Sequence, residues 1–230
     1  MAMGRAAPGS ERTERLKGPM AFFGDVQGNL PALDAVLANT ANEGVHAYFC
    51  VGDSFLHGAQ PREVWQRLVD LQVRCVRGPA DLALATVDPS GLRRADPDAR
   101  SAIEHLKHTR EALGELILAR LARLPTRIRI TLGNGQRVLV TYGSPNDPLE
   151  PIAHDLSDDE ALACVRDARA DVIVCGGALV PFERDVHGVQ IVNVGSLGGA
   201  RTGGVAHYTL IEPAGEGVDV RQSWARYASA

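Results

Sequence analysis

The sequence predicts a layered α/β sandwich, with helices on the outside and two sets of strands on the inside. In the first half of the chain, short apolar runs that end in Gly or Asp alternate with helical patterns, which favours parallel β-α-β units. The second half is richer in strand patterns. With 230 residues, 45% of them hydrophobic, the chain is long enough to bury a full core in one domain.

The first half of the chain contains three strand patterns separated by two helical ones. Its predicted elements are strand 20–25, helix 29–44, strand 46–53, helix 61–71 and strand 73–78. Gly44 supplies a stop for the first helix, and Pro61 suits the first turn of the second. The third strand leads into a loop with the residues "GPAD", followed by an apolar run that could open a helix.

The second half opens with a long amphipathic helix, predicted from Ser101 to Leu124 and ended by Pro125. Residues 127–143 are then typical of a hairpin, with Asn134-Gly135 as its turn. The remaining predicted elements are helix 157–169 and strands 171–177, 189–196, 206–213 and 218–227. We expect a single domain over residues 20–230, preceded by a flexible N-terminal tail over residues 1–19.

Composition and charge limit the partners that we expect. The net charge of -4 lacks the basic surplus that tight binding to a phosphate backbone usually needs, so a nucleic-acid partner is not predicted. No apolar run reaches 18 residues and no signal-peptide core is present, so no membrane partner is expected. The four cysteines are scattered without a CxxC pair, a usage that favours a reducing, cytoplasmic setting.

Two acidic residues follow two of the predicted strands. Asp25 comes after the first strand and Asp53 ends the second. Since ligands of open α/β sheets gather at the carboxyl ends of strands, we expect these carboxylates to face each other over one crevice. Neighbouring carboxylates repel unless a cation, a proton or an arginine separates them. The pair therefore indicates a metal or phosphate site, although both residues could also simply cap loops or helix N-termini.

Five short blocks in order along the chain resemble those of calcineurin-like metallophosphoesterases of the small bacterial and archaeal type. The family's blocks are D-x-H-G-N, G-D, G-N-H-D, a later H-G, and G-H-x-H. They stand here as "DVQGN" (25–29), "GD" (52–53), "GPAD" (78–81), "YGSP" (142–145) and "GGAL" (176–179). The resemblance runs from about residue 20 to residue 201, and it implies a four-layer α-β-β-α sandwich with two mixed β-sheets flanked by helices.

The departures from the family pattern fall on the metal ligands. The replaced positions are Gln27, Pro79, Ala80, Tyr142, Gly177 and Leu179. Ala80 stands where the family has the histidine that assists the leaving group. Only Asp25 and Asp53 survive as metal ligands, with Asp81 as the partner of the lost loop histidine. The resemblance thus implies an emptied site that cannot form the dinuclear centre and holds at most one weakly bound Mg or Ca ion.

The remaining polar residues of the blocks are candidates for ligand binding. They are Gln27, Asn29, Asp81, Tyr142, Ser144, Asn193 and Arg201. His57 is the one imidazole near Asp53 in the sequence, and it is a candidate for a substitute ligand or acid. Its alternative is a surface histidine without a role. For Tyr142 and Gln27 the alternative is packing, in the volume that metals and histidines have vacated.

The sequence is compatible with three functions. The leading hypothesis is a degenerate metallophosphoesterase that is not an enzyme and acts as a binding or regulatory module, through an unknown protein partner or through self-association. The second is a phosphodiesterase or phosphatase with a reduced, oxygen-ligated metal site. The third is a sensor for a nucleotide or phosphate ligand in the emptied crevice.

Overall fold

The computed structural model describes residues 15–93, 96–147, 149–200 and 202–228. Its strands form two mixed sheets that pack face to face, and helices lie against both outer faces. The predicted four-layer sandwich is therefore confirmed.

The smaller sheet contains the strands that carry the first two blocks. It consists of β2 (Met20–Phe23), β3 (Ala47–Cys50), β4 (Arg74–Cys75), β10 (Val205–Ala214) and β11 (Gly217–Arg226). Their order is β11-β10-β2-β3-β4, with β2, β3 and β4 parallel and β10 antiparallel to both of its neighbours. The carboxyl ends of β2 and β3 consequently lie side by side.

The larger sheet has six strands in the order β1-β5-β6-β7-β9-β8. They are β1 (Arg15–Leu16), β5 (Arg127–Leu132), β6 (Arg137–Thr141), β7 (Val172–Cys175), β8 (Phe182–Val186) and β9 (Val189–Asn193). The β5–β6 hairpin turns through Asn134-Gly135, as predicted, and Gly135 has a φ of 93°. Because β6, β7 and β9 are parallel, their carboxyl ends face the same crevice as those of β2 and β3.

Within the described ranges, five α-helices cover the sheets. They are α1 (Leu30–Thr40), α2 (Pro61–Asp70), α3 (Pro79–Thr86), α4 (Pro97–Leu121) and α5 (Asp158–Val165). Helices α1 to α4 pack on the outer face of the smaller sheet, and α5 packs on the outer face of the larger one. None of the helices in the described ranges combines the length and apolar character that a membrane span requires.

Between the sheets lies a core of fully buried apolar side chains. Phe22 and Phe49 stack in it with ring centroids 4.8 Å apart, and valines of β6, β7 and β9 pack against them. Strands buried on both faces carry continuous apolar sequence, which is why these segments show little alternation.

The long helix differs from its prediction at both ends and in the middle. Helix α4 begins at Pro97 because the Asp96 side chain accepts a hydrogen bond from the Ala99 amide (2.8 Å) and Pro97 occupies the first turn. It ends at Leu121 rather than Leu124. At Gly114 the backbone is not helical (φ 73°, ψ 162°), so α4 is two helical segments joined at a kink.

Two strands were absent from the prediction. Strand β8 forms a hairpin with β9 through His187 and Gly188, both of which have positive φ, and a positive φ at two central residues suits a tight hairpin turn. Strand β1 pairs in parallel with β5 and lies inside the segment 1–19 that was expected to be a flexible tail. The domain therefore starts before Met20, and the rest of that expectation concerns residues 1–14, which lie outside the described residues.

Candidate functional site

Asp25 and Asp53 lie side by side at the carboxyl ends of β2 and β3. The Asp25 amide donates to the Gly52 carbonyl (2.9 Å), and the Gln27 amide donates to the Asp53 carbonyl (3.1 Å), so the two loops are bonded to each other. Both aspartates have positive φ (49° and 55°), a conformation that Asp tolerates better than most residues. The loops thus bring the two carboxyl groups together at one edge of the sheet.

Tyr142 follows β6 and directs its hydroxyl at both carboxyl groups. The hydroxyl donates to Asp25 Oδ1 (3.4 Å) and faces the Asp53 carboxyl, whose pKa it lowers. Burial and the two carboxylates raise the pKa of Tyr142 above its usual range, so the phenol stays protonated. A neutral hydroxyl therefore stands between two acidic groups.

The position of Tyr142 depends on the absence of a side chain at Gly177. A Cβ atom on Gly177 would lie 3.2 Å from Tyr142 Cε1 and 3.3 Å from Pro151 Cβ, and Gly177 has a φ of 77°. A side chain there would be strained at that φ and would require the tyrosine ring to shift by a few tenths of an ångström. The two replacements relative to the family pattern, Tyr142 and Gly177, are sterically matched to each other.

Asp81 serves the architecture of the loops. Its carboxylate accepts hydrogen bonds from the amides of Asp53 (2.9 Å), Ser54 (3.0 Å) and Gly78 (3.0 Å). Burial, followed by the charge of Asp53, raises the pKa of Asp81 to about 7, and the three amides counter that rise. With three donors on its two oxygens, Asp81 ties the loop after β3 to the start of α3.

Gly78 allows the same loops to approach closely. A Cβ atom on Gly78 would lie 2.1 Å from Asp53 Oδ1 and 2.7 Å from the Asp53 amide nitrogen, so any side chain there would collide with Asp53. Asp53 Oδ1 also accepts a hydrogen bond from the Ala80 amide (2.8 Å). The backbone of the "GPAD" loop thus holds the Asp53 carboxyl, and its side chains do not.

Asp25 is the acid that the protein leaves least satisfied. It is 2% exposed, and its Oδ2 atom is buried without a hydrogen-bond partner among the described residues. Burial, and after it the charge of Asp53, raises the pKa of Asp25 to about 7, while the Gly177 amide and the Tyr142 hydroxyl lower it in part. A buried oxygen without a donor indicates that Asp25 carries a proton or faces a cation.

The donors around the pair do not fit a dinuclear metal centre. Pro79, Ala80, Gly177 and Leu179 offer no side-chain ligand, and the oxygens of Asp81 are taken by backbone amides. Within the described ranges, no group of three His, Cys, Asp or Glu residues is arranged to hold a metal ion. Two carboxylates and the amide of Gln27 are far fewer ligands than two ions require.

Other predicted binding residues have their side chains engaged within the protein. Asn29 caps α1 by accepting from the Ala32 amide (3.1 Å) and donates to the Tyr227 hydroxyl (3.1 Å). Ser144 donates to Glu150 Oε2 (2.9 Å). Asn193 donates to the Gly176 carbonyl (2.8 Å) and accepts from the Gly195 amide (2.9 Å).

Three further candidates lie at the margin of the site. Gln27 has a φ of 53° and packs beside Gly199, at the crevice rim. His57 is exposed, and its ring meets that of His105 edge-on with centroids 6.0 Å apart. His105 belongs to α4, and the separation of 48 positions between the two histidines explains why the sequence did not predict this contact. Arg201 lies outside the described residues.

Comparison with known proteins gives one family. A model of the calcineurin-like phosphoesterase superfamily domain matches residues 20–216. A crystallised metallophosphoesterase from Sphaerobacter thermophilus is 26% identical, with a TM-score of 0.71 over 92% of this chain and 89% of that one. A hypothetical protein from Pyrococcus horikoshii shares the fold, with 24% identity and a TM-score of 0.78 over 91% of this chain and 88% of that one. An uncharacterized protein of Methanocaldococcus jannaschii is 26% identical over 184 residues, which are 79% of this chain and 71% of its own length.

Proposed function

Because the chain belongs to the calcineurin-like phosphoesterase superfamily, we propose that it is a member without dinuclear catalysis, acting as a binding or regulatory module. One observation carries the proposal. The Tyr142 hydroxyl lies against Asp25 and Asp53, the two surviving acidic positions of the family pattern, and it donates a hydrogen bond to Asp25 Oδ1 (3.4 Å). Where a working site needs cations between carboxylates, this one has a neutral phenol and a carboxyl group that tends to hold a proton.

The chemistry of phosphoester hydrolysis supports the proposal. In a two-metal site the ions bind the phosphate oxygens and generate the hydroxide nucleophile. Here Ala80 has no proton to give to a leaving group, and Pro79 has no side-chain donor. The residues that remain can hold Tyr142 and one proton in place, and they leave the charge that develops on a phosphate without compensation.

The electrostatics of the crevice also disfavour a phosphate or nucleotide ligand there. None of the described arginines and lysines pairs with Asp25, Asp53 or Asp81, and the pKa values of these acids are raised mainly by burial. A phosphate dianion would therefore meet carboxyl groups without an arginine or lysine from the described residues between them, and the basic group that acts on Asp53 is the exposed His57 imidazole. This favours a role for the outer surface of the molecule over a role for the crevice.

Metal analysis joined to an activity assay tests the proposal. The purified chain is incubated with excess Mn²⁺, desalted and analysed for bound metal, and hydrolysis of bis-p-nitrophenyl phosphate is measured on the same sample. We expect no retained metal and no turnover. Asp53→Asn is the matched control, because hydrolysis that persists in this variant comes from a contaminant.

Two results would overturn the proposal. Two ions per chain with turnover would mean that the chain is a working phosphodiesterase. One ion per chain, with turnover that Asp53→Asn abolishes, would establish the alternative enzyme with a reduced, oxygen-ligated site.

A further inference from the structure

Strand β11 forms a long edge of the smaller sheet. It has ten residues, about twice the usual strand length, and within the described ranges it pairs with β10 alone. The other edge strands, β4, β1 and β8, have two, two and five residues. A long edge strand presents a row of backbone donors and acceptors that another chain can pair with.

The alternation along β11 shows which residues present these groups. The Tyr227 amide donates to the Gly204 carbonyl (3.0 Å), so odd-numbered residues of β11 face β10 and even-numbered residues face outward. In agreement, the Trp224 carbonyl accepts a hydrogen bond from the Asn39 side chain of α1 (3.3 Å). The backbone groups of Val218, Val220 and Gln222 have no hydrogen-bond partner in the part of the chain that the structure describes.

We propose that β11 pairs antiparallel with β11 of a second copy of this chain, with Val220 opposite the partner's Val220. Val218 then lies opposite the partner's Gln222, and Gln222 lies opposite the partner's Val218. The result is three hydrogen-bonded residue pairs, each exchanging two backbone bonds. The two five-stranded sheets become one continuous sheet across a two-fold axis, and the contact is closed because each copy uses the same edge.

Charge complementarity favours a second copy of this chain as the partner of β11, and it also favours one register of pairing. In this register Asp219 lies opposite the partner's Arg221, and Arg221 lies opposite the partner's Asp219, so two ion pairs form across the axis. Asp219 is exposed and has no charged partner among the described residues. Arg221 already binds Glu43, and its five N–H donors allow a second carboxylate.

The two neighbouring registers are disfavoured by like charges. In the next register toward the carboxyl end of β11, Arg221 lies opposite the partner's Arg221. That register also requires the Trp224 carbonyl to accept a backbone hydrogen bond, although the Asn39 side chain already donates to it. Moving the pairing one step the other way places Asp219 opposite the partner's Asp219. Only the central register joins opposite charges and leaves the Asn39 contact in place.

This inference deepens the proposed function, since it names the partner of a binding module, yet it depends on different residues. Sedimentation of the full chain over a wide range of concentrations measures the assembly. We expect a monomer–dimer equilibrium. Val220→Pro removes the central donor on both copies while the inward-facing bonds of β11 remain, and we expect the dissociation constant to rise by at least about twentyfold. Val220→Thr is the matched control, because it keeps the amide and the branched side chain, and it should dimerise like the wild type.

Oxidative cross-linking tests the register. In the proposed pairing the Cα atoms of Val220 and the partner's Val220 are about 5.5 Å apart, which suits a disulfide in Val220→Cys. In Gln222→Cys the two cysteines are about 13 Å apart along the strands, which is too far. The unmodified chain, whose four cysteines are free, gives the background. We expect a covalent dimer from the first variant alone.

The outcomes separate this inference from the proposed function. A wild type that stays monomeric at every concentration overturns the dimer, and so does a dimer that survives Val220→Pro and Asp219→Arg in folded protein. Equal cross-linking of both cysteine variants overturns the register. None of these results changes the metal content or the hydrolysis rate, so each proposal can fail without the other.

Discussion

Tyr142 sets the electrostatics of the crevice at the scale of single residues. Its hydroxyl donates to Asp25 and faces Asp53, its ring fills the space beside Gly177, and its own pKa is raised so that it remains neutral. Without a cation, two neighbouring carboxylates are costly, and protonation of one of them relieves the repulsion. Of these two carboxyl groups, Asp25 is the one that holds the proton, because burial raises its pKa to about 7.

The raised pKa of Asp25 predicts a stability that falls as pH rises. The folded protein keeps a proton on Asp25 up to about pH 7, whereas an unfolded chain releases it near pH 4. The stabilisation from Asp25 is therefore complete below about pH 4 and is lost as pH passes about 7, and Asp25 alone contributes a slope of up to about 1.4 kcal/mol per pH unit. Asp81, whose pKa is also raised to about 7, adds a slope of the same sign. Urea unfolding at a series of pH values in the presence of a chelator measures the slope.

Asp25→Asn should make this slope shallower, because asparagine does not titrate. Asp219→Asn, on the exposed edge of β11, should leave it unchanged. A wild-type stability that is flat or rises between pH 5 and pH 7 would contradict the assignment of the proton to Asp25.

At the scale of elements, helix α4 consists of two helical segments that meet at a kink at Gly114. Gly114 has φ 73° and ψ 162°, a region that side-chain-bearing residues avoid. The segments on either side pack Leu106, Leu113 and Leu118 against the outer face of the smaller sheet. Because of the kink, the two segments of α4 run in different directions while both pack on that face.

Gly114→Ala is expected to lower the free energy of unfolding by about 1–3 kcal/mol, because alanine is strained at that φ and ψ. A steric clash does not contribute to this loss, since nothing lies within 4 Å of a Cβ atom on Gly114. Gly91→Ala is the matched control: it is equally open and lacks the positive φ, so its effect should stay within about 0.5 kcal/mol. Chemical denaturation checks both variants, and an unchanged or higher stability of Gly114→Ala would show that α4 can straighten.

At the scale of the whole molecule, the core between the sheets joins the two halves of the chain. Phe22 from the first strand set stacks on Phe49, and valines from the second set pack against both. Sheet contacts of this kind bring together residues more than a hundred positions apart. The two sheets should accordingly unfold together.

Phe22→Ala is expected to cost about 3–5 kcal/mol and to leave a single unfolding transition. Its control, Leu116→Ala, changes a side chain that is 84% exposed and should cost less than about 0.5 kcal/mol. Circular dichroism and tryptophan fluorescence followed on the same samples measure both effects. Separate transitions for the two probes would mean that the sheets unfold independently.

The sequence by itself determined the layered architecture, the order of most elements and the family to which the short motifs point. These features depend on local periodicity and on short motifs, both of which can be followed along the chain. Only the tertiary structure decided that Tyr142 lies against Asp25 and Asp53, and that the Asp81 carboxylate accepts hydrogen bonds from three backbone amides. It also decided that β11 is an edge strand and that residues 182–186 form strand β8. Each of these facts is a contact between distant segments or the absence of one, and local pattern carries no information about either.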